Sequence, residues 1–127
     1  MDQKQHPPFP SWAVLACGAA AWVALQLLSG RGEAWDSPLW FALQWPLVTL
    51  GAGWLGAHHG RIATRWVAAW AVGQVLGLVI ANGLDDMSLW PIGLVLMALA
   101  HLPAWLLARH MARRRERRAA AAHVGES

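Results

Sequence analysis

Apolar residues run through this chain in four long blocks, with neither the strict alternation of a half-buried strand nor the narrow stripe of a surface helix. Residues 11–30, 37–57, 66–84 and 87–108 contain no Asp, Glu, Lys or Arg. A helix rises 1.5 Å per residue, so about 20 apolar residues cross a hydrocarbon core of about 30 Å. Each block has that length. The pattern predicts an all-α, integral membrane four-helix antiparallel bundle, with two tandem helical hairpins as its finer organisation. The expected parts are a tail over 1–11, a membrane domain over 12–108 with spans at about 12–29, 38–57, 64–82 and 89–108, and a basic tail over 109–127.

The connections carry matching punctuation. Gly30-Arg31-Gly32 stops the first span, and Ser37-Pro38 opens the second with a capping residue followed by a proline in the first turn. Asn82-Gly83 stops the third, and Ser88 with Pro91 opens the fourth. Short loops make consecutive helices the expected antiparallel neighbours. Pro46 and Pro103 fall inside apolar blocks and should shape their helices, freeing carbonyls near Ala42 and Leu99. Ala21-Trp22, Gln26 and Leu28 reappear as Ala69-Trp70, Gln74 and Leu76, a weak parallel repeat that has coincidence in an Ala/Leu/Trp-rich chain as its competitor.

Composition and charge then add orientation. Apolar residues make up 57% of the 127 and charged residues 13%, against about 25% charged in a soluble domain. Lys4, Arg61, Arg65 and the six arginines from Arg109 onward fall on one side of the predicted membrane, and Arg31 alone on the other. By the positive-inside rule both termini are cytoplasmic. Trp12, Trp66 and Trp105 are expected at the inner boundary and Trp35, Trp40 and Trp90 at the outer one. Cleavage as a secretory signal is not expected, since Val14-Leu15-Ala16-Cys17 is a poor box behind three prolines. Cys17 has no second cysteine to pair with.

Helices in lipid associate through close backbone approach. Ala69, Gly73, Gly77 and Ala81 recur every fourth residue in span three and form the candidate packing stripe; Ala16, Ala20 and Ala24 in span one and Ala52, Gly56 and Gly60 in span two are lesser versions. The intramembrane polar candidates are Gln26, Gln44, Gln74 and His101. The glutamines read as interhelical glue. His101, the only ionisable side chain deep in a span, reads as a neutral imidazole bonded to a neighbouring helix or to a carbonyl that Pro103 frees. His58-His59 point about 100° apart on a helix and do not make a metal pair. Asp85-Asp86 reads as a solvated turn. No nucleophile, base or metal motif is recognisable, so neither catalysis nor a cofactor is expected.

The tail arginines Arg113, Arg114, Arg115, Arg117 and Arg118 suit anionic lipid headgroups, and nucleic acid is not an expected partner. Trp35-Asp36-Ser37-Pro38, Trp45-Pro46, Leu89-Trp90-Pro91-Ile92-Gly93 and Pro103 before an Arg-rich end resemble the layout of a group of small four-span bacterial inner-membrane proteins with no assigned activity. The resemblance implies topology and no function. Two readings stand: a non-enzymatic accessory or assembly subunit acting through helix packing in a larger membrane complex, and a small homo-oligomeric transporter or channel. In the second, Gln26, Gln44, Gln74 and His101 would line the path.

Overall fold

The computed structural model describes residues 9–30, 34, 37–83 and 90–125. They form α1 (Ser11–Ser29), a π-helical turn (Trp40–Gln44) that runs directly into α2 (Trp45–His59), α3 (Ile62–Asn82) and α4 (Trp90–Gly125). α1, α3 and α4 are long and apolar enough to cross a membrane. Lys4, Arg31, Glu33, Trp35, Asp36, Asp85, Asp86 and Ser88 lie outside the described residues.

Local chemistry accounts for the helix ends. Gly30 takes a left-handed conformation at φ 61° and donates its N–H to the Gln26 carbonyl, a position where a side chain would be strained. The buried Ser37 hydroxyl accepts the Leu39 N–H at 3.2 Å, as expected of the residue before Pro38. Pro46 acts less simply than a kink. It has no N–H to donate, and the preceding turn widens so that the Trp45 N–H reaches back five residues to the Trp40 carbonyl. The wider turn makes room for the proline ring while residues 38–59 stay helical throughout. Pro103 sits inside α4, which continues for 36 residues without a break.

The closest neighbours are not the consecutive helices. α1 packs along α3 and α2 along α4, and both pairs run parallel: Phe9 meets Trp66 and Gln26 meets Asn82, while Trp45 meets Ala100 and Arg61 meets Glu116. α2 and α3 run oppositely, with Gln44 against Gln74 and His59 against Trp66. Short loops fix chain direction, but glycine faces decide which helices come closest. A Cβ on Gly73 would run into the Leu15 carbonyl, and one on Gly77 would stand 2.7 Å from both the Ala19 oxygen and the Trp22 Cβ. In the other pair a Cβ on Gly56 would run into the Ala108 backbone, and one on Gly53 would stand 2.8 Å from Leu107 Cδ2.

Three expectations need correction. Ala81 is exposed and Ala69 only half-buried, so the α3 contact is carried by Gly73 and Gly77. Ala16, Ala20 and Ala24 are all exposed; α1 instead presents Gly18, Ala19 and Trp22, because Gly18 allows the Trp70 carbonyl to approach. Trp40 and Trp66 are each 3% exposed and belong to the core rather than to a boundary belt, while Trp12 is exposed and Trp105 half-buried.

The core is divided between two clusters. Ala52, Ala63, Trp66, Val67, Ala104 and Ala108 form one, and Trp22, Ala34, Trp40, Leu78 and Met97 the other. Leu27, Leu28, Phe41, Leu43, Leu47, Leu50, Ile80 and Leu99 point outward.

Candidate functional site

Gln74 is fully buried and sits where α1, α3 and the π turn meet. Its Nε2 donates to the Gly18 carbonyl at 3.0 Å. Its Oε1 accepts from Gln44 Nε2 at 2.7 Å and from Trp40 Nε1 at 3.3 Å. One amide therefore ties α3 to α1 and to the segment leading into α2. The widened turn matters here, since Trp40 and Gln44 are its first and last residues and both aim at the same oxygen. Gln44 Oε1 and Trp70 Nε1 are buried and have no hydrogen-bond partner among the described residues.

Of the polar candidates, Gln44 and Gln74 come together and His101 approaches their edge, its ring 6.4 Å from that of Trp40 in a T-shaped contact. Gln26 lies apart. It accepts from Trp22 Nε1 at 3.1 Å and donates to Asn82 Oδ1 at 2.6 Å, two helical turns beyond Gln74 on α3. The four candidates thus divide into a group of three and a separate Gln26, which pairs with Asn82, and do not form a file along one path.

His101 departs from its expected role. The bond from Nδ1 runs to the Met97 carbonyl at 2.9 Å, four residues back on its own helix, and not across the bundle or to the Leu99 carbonyl. A carbonyl only accepts, so Nδ1 carries the hydrogen. Near Pro103 a different donor appears: Trp45 Nε1 reaches the Ala100 carbonyl from α2 at 2.7 Å.

Indoles are the functional class that sequence reading undervalued. Trp40, Trp45 and Trp66 each donate to another segment, the last to the Phe9 carbonyl at 3.1 Å. An indole N–H in hydrocarbon needs an acceptor as much as a glutamine does. Ten tryptophans in a chain with few other polar groups were the available signal.

His58 stacks on Trp54 at 4.5 Å and bonds its carbonyl, and His59 contacts the edges of Trp54 and Trp66. Among the described residues no three His, Cys, Asp or Glu side chains are grouped to hold a metal ion. No family model, curated protein or solved structure matches the chain.

At the arginine-rich end, Arg61 and Glu116 form a two-pronged pair, Nε to Oε1 at 2.8 Å and Nη2 to Oε2 at 3.1 Å. The Arg61 hydrogen bond holds the Glu116 carboxyl below the usual carboxylate range. The pair joins the α2–α3 turn to the outer part of α4, which carries the remaining tail arginines on exposed positions.

Proposed function

We propose that this chain is a four-span protein of the bacterial inner membrane, both termini cytoplasmic, that works as a non-enzymatic accessory or assembly subunit through its helix faces. The observation that carries this reading is the engagement of the buried Gln74 amide inside the chain. Its amide is spent on three partners inside the chain, which supports a rigid scaffold over a solvated path. The separation of Gln26 from the other polar groups argues in the same direction.

Besides α1, α3 and α4, the remaining span is the helical stretch over 38–59, whose π turn divides a segment of membrane-crossing length. The outward leucines and phenylalanine face lipid or a partner helix. Both glycine stripes are occupied within the chain, so a partner would dock on larger side chains.

The alternative, a homo-oligomeric transporter or channel, draws on the buried Gln44 Oε1, which has no partner among the described residues, as an acceptor that a permeating group would satisfy. Affinity purification in mild detergent separates the two. A stoichiometric foreign membrane protein supports the subunit reading, and a clean homo-oligomer supports the transporter. Orientation is tested by alkaline-phosphatase fusions: activity after Arg118, or none at Asp85, would sink the topology.

A further inference from the structure

Where the apolar part of α4 gives way to its basic part, a cleft of about 150 Å³ opens between α4 and the start of α3, lined by Arg61, Thr64, Trp105, Arg109 and Arg113. We propose that this cleft binds the phosphate group of an anionic phospholipid. The proposal rests on the membrane reading above and gives the lipid contact a defined place, distinct from the tail arginines Arg114, Arg115, Arg117 and Arg118.

Charge is the first argument. Arg61, Arg109 and Arg113 converge on a space whose nearby carboxylate, Glu116, is already engaged by Arg61 and also feels Arg113 and Arg115. Cations gathered around a single carboxylate repel one another, and a phosphate between them relieves that repulsion while accepting charge-assisted hydrogen bonds.

Preorganisation is the second. Arg61 commits Nε and Nη2 to Glu116, which leaves Nη1 outside the pair. The Thr64 hydroxyl donates to the Arg61 carbonyl at 2.7 Å and holds the turn beneath it. Arg109 lies over the Trp105 ring, 5.1 Å from its centroid, so its guanidinium is oriented before any ligand arrives.

Depth selects the source of the phosphate. One wall is the Trp105 indole, and the same helix exposes Leu102 and Leu106 within a turn of it. A lipid headgroup in the cleft would lay its acyl chains along those leucines, whereas a soluble anion would leave them unused. Basic pockets at this depth between membrane helices suit anionic headgroups.

The test is native mass spectrometry of the detergent-solubilised full chain supplied with phosphatidylglycerol or phosphatidylethanolamine. Wild type should retain phosphatidylglycerol preferentially. Arg109→Gln with Arg113→Gln should weaken retention about tenfold, and clearly more than Arg117→Gln with Arg118→Gln. Circular dichroism and size-exclusion profiles check folding, and Arg113→Gln alone serves if the double variant does not fold. Equal retention by wild type and the cleft variant, or loss in the tail variant instead, would overturn the site. Phosphorus NMR with inorganic phosphate is the second arm: cleft-dependent binding of free phosphate without lipid preference would overturn the lipid source. Neither arm depends on membrane orientation, so failure here is distinguishable from failure of the topology.

Discussion

Gln74 donates to the carbonyl of Gly18 at 3.0 Å, at the level where the missing Gly18 side chain lets the Trp70 carbonyl come close. Packing and hydrogen bonding thus meet at one residue of α1. A larger residue at position 18 would separate the helices and stretch the Gln74 bond together, so the two stabilising effects are not additive.

Glycine replacements should sort by what the new Cβ meets. Gly73→Ala and Gly77→Ala would place a methyl against α1 backbone, and each should lose about 1–3 kcal/mol. Gly51→Ala has open space within 4 Å and should be neutral or gain up to about 1 kcal/mol from helix propensity. Thermal unfolding in detergent reads the order. Equal stability of all three would place the α3 glycines on a free face.

For the glutamines, Gln74→Leu leaves the Gly18 carbonyl, the Trp40 indole and the Gln44 amide short of a partner and should cost about 1–3 kcal/mol. Gln26→Leu, at a half-buried pair, should cost nearer 0.6 kcal/mol, roughly the average for a membrane interhelical bond. A double-mutant cycle between Gln44 and Gln74 should give a positive coupling. Independent effects would mean that the 2.7 Å bond contributes nothing.

Much of this arrangement could be read from residues alone, and the parts that could not share a cause. Gly30, Ser37 and Gly73 announce themselves because cap geometry and small size are local properties. Trp40 and Ala20 mislead because burial depends on which neighbour arrives. Trp40 near a span end suits a boundary belt equally well until the π turn rotates it toward Gln74. Ala20 has the spacing of a packing face, but Gly18 permits a closer approach on another side of α1. The cleft beside Arg109 was similarly hidden, since Arg61 and Arg113 are brought together only by the parallel pairing of α2 with α4.

His101 bonds its own helix at Met97, so His101→Leu should cost about 1 kcal/mol or less. His101→Gln should be equally mild. Proteoliposomes of wild type and both variants should show no difference in proton flux. Flux in wild type that both substitutions abolish, with folded protein retained, would make His101 a relay and favour the transporter.

The Arg61–Glu116 pair gives a pH dependence with a definite sign. Arg61 depresses the Glu116 carboxyl, so the contribution is present above the ordinary carboxylate range and is lost as pH falls through the depressed folded value. Both groups are exposed at the surface, and the effect is small and weakened by salt. Unfolding followed from neutral to acidic pH should show a shallow decline that Glu116→Gln removes. An identical slope in the variant would assign the decline to other groups.

The parallel pairing of α1 with α3 and α2 with α4 has a consequence for how the chain is made. Synthesis delivers α1 and α2 first, yet each finds its closest partner only in the second half, some fifty residues later. Until then the glycine faces of α1 and α2 stay uncovered. Assembly is then a late docking of one half into the other, and the halves made as separate chains should find each other in the same membrane.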